Sequence, residues 1–444
     1  MRSSLARRRT SLLCLLCAAL VAACQSRAPL GTGSPDVVLV VVDALRADRV
    51  RSALDGGAAL PHLARLAEDG VFYERASSPA TWCIPAHASL LTGRWPSFHG
   101  AERRMRAGEL VVQPLDAEAA TLSEILRTRG LRTAAFVPGR TDLASAYGFD
   151  RGFDDFVNDQ ALAVPAHMAD AVAQWLDGQS GPVFLFVSLD ALRQAKLPFG
   201  EPGQVQHLVP RADVTNTTLR TGGSLPEAHA GIAAEYDSGL EGVDRAVGEI
   251  LAALQAAGRY ADALVVVTAD HGELLGEHGL AGHGWPPFEG ALNVPLIVKY
   301  PDGRGAGGRV DRRVSTLGVF ATILEAVGAS VPAGVQSRPL DDRHPVWAED
   351  VDRKGRRVRA GYDGLRKKII RVTSDTIDVA CLYDMYTDTA EQRPDCGPSD
   401  DGTLNRAMAS FSKQPRPGDP ASGLAHAGEV KPAVRGGDPE RATN

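Results

Sequence analysis

Asp36-Val37-Val38-Leu39-Val40-Val41-Val42-Asp43 sets the architecture: six consecutive apolar residues, five of them valine, lie between two aspartates. A run of that length without alternation is a strand buried on both faces, the condition of a parallel sheet covered by helices. Strands of the same texture are expected at Arg132–Val137, Val183–Leu189, Ala263–Thr268 and Val294–Val298. Helical periodicities separate them at Leu60–Asp69, Leu122–Arg129 and Leu240–Ala257. The alternation predicts an α/β sandwich with a mostly parallel central sheet. From Arg356 the texture changes to short alternating segments, Arg357–Tyr362, Lys367–Thr373 and Thr376–Tyr383, with Asp-Gly and Ser-Asp turn signals between them. These predict a small antiparallel α+β domain.

At 444 residues the chain exceeds what one core usually organises, which suits a large domain over 36–340 and a small one over 341–411. Its 54 acidic and 48 basic side chains leave a formal charge of -6, which excludes an extended nucleic-acid surface; any positive site is local. The basic start Met1–Arg9 and the apolar run Leu12–Ala23 form a secretory signal too short to span a bilayer, so residues 1–23 mark the chain for export. The run closes on Leu20-Val21-Ala22-Ala23-Cys24, which resembles a bacterial lipobox. Lipidated Cys24 would be the mature N-terminus, with residues 24–35 as a linker and the lipid as the membrane contact, in the periplasm or at the cell surface. The alternative is an ordinary signal peptide with a cysteine near its cleavage site. Cys14 and Cys17 leave with that segment and Cys83 has no near neighbour, so Cys381 and Cys396 are the pair that an oxidising compartment would close into a disulfide. Residues 412–444, rich in Pro, Gly, Ala and charge, read as a disordered tail.

Ligands of open α/β sheets gather at the carboxyl ends of the strands. Asp43 stands at the first such end, either as a site residue or as a cap of the next helix. Val265-Val266-Val267-Thr268-Ala269-Asp270-His271-Gly272-Glu273 brings a carboxylate and an imidazole off one strand tip, although Asp270 with Glu273 also has the spacing of a capping box. The run after it, Leu274 to Gly284, places His278 and His283 in a glycine-rich loop whose entropic cost implies a purpose. In Ala80-Thr81-Trp82-Cys83-Ile84-Pro85-Ala86-His87, Pro85 is preset for a first helical turn. Cys83 is then either a nucleophile at a donor-rich helix start or a buried structural thiol.

Taken in order, these segments resemble the sulfatase branch of the alkaline phosphatase superfamily, from Val37 to about Asp388. The carriers are Val42-Asp43-Ala44-Leu45-Arg46-Ala47-Asp48, Leu63 to Phe72, Cys83-Ile84-Pro85-Ala86-His87 with Ser89 to Arg94, Thr121 to Phe136 with Tyr147 to Asp154, Asp270-His271-Gly272 with Val294 to Val298, and Leu382-Tyr383-Asp384-Met385 with Asp388 and Glu391. The resemblance implies formylglycine made from Cys83 by a formylglycine-generating enzyme and hydrated to a gem-diol that attacks sulfur or phosphorus. It implies one divalent metal at Asp43, Asp270, His271 and the residue derived from Cys83, with calcium ahead of magnesium or manganese. His87, Lys196 and His283 would bind the anion or protonate the leaving group of a sulfated small molecule or glycan.

The chain departs from the family pattern in four places. Ala44 stands where a second aspartate is common, His87 replaces the arginine of Cys-x-Pro-x-Arg, His283 replaces a lysine, and Lys196 occupies the place of the family's leaving-group histidine. These changes fit an active divergent sulfatase, a phosphonate or phosphate monoester hydrolase of the same superfamily, or a catalytically degenerate surface-anchored binder. A two-metal phosphatase using the thiol or Thr81 would need a further Asp-His pair.

Overall fold

The structure is a computed structural model that describes residues 34–57, 60–190, 192, 205–207, 226–284, 286–344, 346–373 and 376–396. The signal segment 1–23, Cys24, most of its linker, Lys196 and the tail 412–444 lie outside the described residues.

Eight strands form the central sheet: β1 Val37–Val42, β2 Val71–Ser77, β3 Arg132–Val137, β4 Asp155–Asn158, β5 Val183–Leu189, β6 Leu264–Ala269, β7 Asn293–Lys299 and β8 Gly308–Ser315. Their order is β8-β2-β7-β6-β1-β5-β3-β4. The unbroken apolar run has the expected consequence: β1 lies between β5 and β6, and each of its six residues is fully buried. Every pairing is parallel except those of β7, which runs antiparallel to β6 and β2. Among the described residues between β6 and β7 the longest helix is the four-residue Glu289–Leu292, and a parallel return needs a longer crossover. Helix Leu240–Ala256 packs against Pro165–Asp177 and Pro61–Asp69, and helix Cys83–Thr92 against Leu122–Thr128 and Gly318–Ala326.

The C-terminal strands β9 Val346–Val351, β10 Arg357–Asp363, β11 Arg366–Thr373, β12 Thr376–Asp384 and β13 Asp395–Cys396 pair in chain order, all antiparallel. A disulfide joins Cys381 to Cys396, which face each other across β12 and β13. Ala348, Val358, Ala360, Ile369 and Tyr383 bury against Leu274, Phe288 and Leu292, so this sheet closes over the loop that follows β6. The described part of the small domain is strand, and residues 397–411 lie outside it.

Register fixes the position of the site. Val42 pairs with Ala269 across the parallel β1–β6 ladder, so the next residues in each strand, Asp43 and Asp270, leave the sheet side by side.

Candidate metal and anion site

Asp43, Cys83, Asp270 and His271, distant in sequence, place one ligand atom each within 4.8 Å of one another, and all four are buried. Helix Cys83–Thr92 begins at the cysteine, and its first turn aims the thiol at the strand tips. Cys83 Sγ lies 3.3 Å from His271 Nε2 and 3.8 Å from Asp43 Oδ1. His271 Nδ1 sits 2.7 Å from the Gly272 carbonyl, which can only accept, so Nδ1 carries the proton and Nε2 turns a lone pair into the cluster. Nε2 is 3.5 Å from Asp43 Oδ1 and 3.4 Å from Asp270 Oδ2.

Neither carboxylate behaves as a cap. Asp270 Oδ1 accepts from the backbone N–H groups of His271 and Ala44, while Oδ2 is buried without a hydrogen-bond partner among the described residues. Asp270 does not begin a helix: residues 271–273 are irregular, Leu274–Leu275 and Leu280–Gly282 pair as a short antiparallel ladder, and Glu273 turns to His283 instead. The helix after Asp43 starts at Ala47, and Asp43 binds an arginine.

That arginine, Arg140, was not legible as a site residue. It follows β3 through Pro138 and Gly139, and Gly139 adopts φ +64 where an added Cβ would meet Gln160 Cα at 2.6 Å. The signal available in the sequence was a charged residue just past a Pro-Gly turn at the tip of a buried strand. Arg140 Nη1 donates to Asp43 Oδ2 at 2.6 Å, Nη2 to Cys83 Sγ at 3.0 Å, and Nε to Asp142 Oδ1 at 2.9 Å. Burial opposes its charge, but Asp43 and Asp142 outweigh burial and hold its pKa well above the ordinary arginine value. Asp142, in turn, is held down at about 2, because Arg140 overcomes the burial penalty.

The donor set fits a divalent cation. Asp43 and Asp142 share the Arg140 guanidinium and Asp270 beside them has no arginine or lysine partner among the described residues, so three carboxylates are set against one guanidinium, and the buried pocket also offers an imidazole lone pair. Burying charge in that state is costly unless a cation completes it.

The remaining sequence-derived candidates separate into two positions. His87 lies one helical turn beyond Cys83, 1 % exposed, between the edges of Phe149 and Phe186. Its Nδ1 is 3.0 Å from the Cys83 carbonyl and 3.4 Å from Asp270 Oδ2, and burial pushes its pKa down, which keeps it neutral. His283 stacks on His271 at 4.2 Å between ring centroids and holds Glu273 at 3.1 Å. Burial opposes a charge on His283, but Glu273 outweighs it and raises the pKa above the ordinary value. Gly276, Gly279, Gly282 and Gly284 around it all adopt positive φ, which explains why that loop is rich in glycine. Thr81 points away from the cluster, and its hydroxyl bonds Asp350 of β9, which removes it as an alternative nucleophile.

Residues 35–329 match the model of the sulfatase family. The chain belongs to the sulfatase family. The ulvan-active sulfatase of Formosa agariphila is 23% identical over 385 residues, covering 77% of this chain and 72% of that one. Among solved structures, a protein in complex with its substrate D-glucosamine-2-N,6-O-disulfate superposes with a TM-score of 0.66 at 17% identity, covering 88% of this chain and 100% of the other. The phosphonate monoester hydrolase of Agrobacterium radiobacter gives 0.63 at 19% identity, covering 85% and 94%. These likenesses show the fold.

Proposed function

We propose that the chain is a metal-dependent sulfuric ester hydrolase in which formylglycine made from Cys83 is the nucleophile. The observation that carries this reading is the convergence of Asp43, Cys83, Asp270 and His271 within 4.8 Å, with Arg140 on the same thiol. Asp43, Asp270 and His271 would hold the cation; oxygen donors favour calcium or magnesium, and the imidazole admits manganese. Bound there, it would lower the pKa of a neighbouring hydroxyl and screen the sulfate oxygens.

The chain's own residues divide the remaining work. Arg140 presents Nη2 where the oxygen of the converted residue will stand and stabilises its charge. His87 is a positioning residue that holds the Cys83 carbonyl and faces Asp270. His283, whose pKa Glu273 raises, would donate a proton to the departing alcohol, a task shared with Lys196 by family resemblance. An unmodified Cys83 suits nucleophilic attack poorly, because burial first and Asp43 second push its thiol pKa well up.

The substrate class is a sulfated small molecule or glycan, supported by the disulfated glucosamine bound to the structural neighbour. Cys83 is 2 % exposed in the folded chain, so the formylglycine-generating enzyme would act before folding. Export with lipidation at Cys24 belongs to the same reading, and the Cys381–Cys396 disulfide supports an oxidising compartment.

Mass spectrometry of the tryptic peptide from Ala76 to Arg94, taken from protein exported by a bacterium that converts other sulfatases, tests the nucleophile. An aldehyde or its hydrate at Cys83 is expected, with chelator-sensitive release of sulfate from an aryl sulfate. A thiol throughout, without sulfate release, would overturn the reading. The Asp270-His271 pairing favours phosphonate monoesters as a second substrate class, and these belong in the same assay.

A further inference from the structure

The turn after β1 holds a residue in a costly conformation. Ala44, which follows Asp43, adopts φ +59, the left-handed region that a residue with a Cβ avoids. Such a conformation persists where neighbouring groups over-determine it, and here those groups are identifiable. Before the turn, the Asp43 N–H donates to the Leu189 carbonyl at the end of β5 at 2.8 Å. Beyond it, the fixing group is a side chain. Tyr236, from helix Pro226–Ser238, is fully buried; its hydroxyl donates to the Ala44 carbonyl at 2.8 Å and accepts from the Arg46 N–H at 2.9 Å. Burial pushes the pKa of this phenol well up, so the hydroxyl keeps the proton that it donates. One hydroxyl thus spans the turn.

The conformation of the turn bears on the two carboxylates. The Ala44 N–H donates to Asp270 Oδ1 at 3.2 Å, beside the His271 N–H at 2.9 Å, and so links the tip of β1 to the carboxylate at the tip of β6. With Oδ1 held by two N–H groups, Oδ2 is left to face the His271 imidazole, 3.4 Å from Nε2. The φ angle of Ala44 is the rotation that joins this peptide N–H to the chain beyond it. Anchoring the carbonyl side at Tyr236 therefore sets the direction of the N–H that holds Asp270. The hydrogen bonds of Tyr236 go to Ala44 and Arg46, so it acts through the turn.

We propose that Tyr236 is a positioning residue for the metal centre: its hydroxyl holds the Ala44 turn in the left-handed conformation that orients Asp43 and Asp270 towards one divalent cation, and so raises the affinity of the site for that cation. This inference rests on the metal-dependent reading of the site. The ring of Tyr236 belongs to the main core, and the neighbouring Asp237 pairs with Arg49 at 2.9 Å, so the helix keeps its other anchors when the hydroxyl alone is removed.

Calcium titrated by calorimetry into the chelator-treated protein tests this. Tyr236→Phe is expected to weaken calcium binding about tenfold. Adding Ala44→Gly to Tyr236→Phe removes the Cβ penalty of the turn and is expected to bring the affinity back to within about threefold of wild type. Tyr260→Phe, which removes a phenol bonded to Asp69 at the opposite end of β6, is expected to leave calcium binding unchanged. A purely structural role would lower the urea midpoint of Tyr236→Phe and leave the calcium affinity of the folded protein as it was. Equal affinity in wild type and Tyr236→Phe would overturn the proposal, as would a loss that Ala44→Gly does not relieve. If the wild type takes up no calcium, magnesium or manganese, the metal reading falls and this proposal with it.

Discussion

Two groups of buried charges in this protein differ in one respect that separates structure from chemistry. Beneath the C-terminal sheet, Glu102, Glu289, Glu349 and Glu391 are balanced by Arg313, Arg357, Arg359 and Lys367. Glu349 of β9 takes Arg359 at 2.7 Å and the Ser97 N–H at 3.0 Å, and Arg357 bridges it to Glu102. Lys367 of β11 pairs with Glu391 at 2.6 Å and Glu289 at 3.2 Å, and Glu289 also holds Arg313. At the tips of β1 and β6, by contrast, Asp43 and Asp142 share Arg140, and the neighbouring Asp270 has no arginine or lysine partner among the described residues. Burial alone does not distinguish the two groups; completeness does. The first is balanced within the chain, whereas the second carries an excess of negative charge that a cation would balance.

Neutralising Asp270 is the most severe way to break that contrast. Asp270→Asn keeps an oxygen for the Ala44 and His271 N–H groups but removes a charge from the cluster. Sulfate release is expected to fall by at least about 10³-fold, as for loss of a main electrostatic stabiliser. Urea unfolding of the metal-free protein is expected at an equal or higher midpoint, because like charges no longer repel. Retained hydrolysis would remove Asp270 from the site.

The opposite pattern is expected at Glu349. Glu349→Gln strands two buried arginines and should cost about 3–5 kcal/mol in unfolding free energy while leaving turnover per folded molecule unchanged. The effect carries a pH signature. Burial opposes the charge of Glu349, yet Arg357 and Arg359 outweigh it and hold the pKa at about 2, below its ordinary 4.5. Its stabilisation is therefore present above about pH 4.5 and is lost as pH falls towards 2. Denaturation of wild type and Glu349→Gln across pH 2–6 should show curves that converge at the acid end; parallel curves would refute the assignment.

Ala44 sharpens the comparison with the smallest change. It adopts φ +59, a region in which Asp and Asn are better tolerated than Ala, and its backbone is pinned by Tyr236 and Asp270. Ala44→Asp should add a donor to the incomplete group and tighten calcium binding by about tenfold, or about 1.4 kcal/mol, in calorimetry. An unchanged affinity would show that the side chain at this position does not reach the cluster.

Much of this was legible in the chain. The valine run gives the central strand because only a doubly covered strand has no use for a polar face, and alternation after Arg356 gives the antiparallel sheet because one face is solvated. Asp43, Asp270 and His271 were legible because they end such runs. Cys83 remained open between a structural thiol and a nucleophile, since a helix start by itself does not choose. Arg140 carries no such signal, because arginines at turns are mostly solvated and their local sequence has no periodic mark, and Glu273 reads in the sequence as the capping-box partner of Asp270.

Sequence alone therefore determined which residues can form strands, which strand tips bear acids, and where a nucleophile can stand. Tertiary structure decided the rest. The parallel register of Val42 with Ala269 brings two distant carboxylates together, and Gly139 turns Arg140 onto both Asp43 and Cys83. The physical reason is range. Propensity and hydrophobic period act over a few residues, whereas the balance of a buried charge is set by groups close in space and more than a hundred residues apart in the chain.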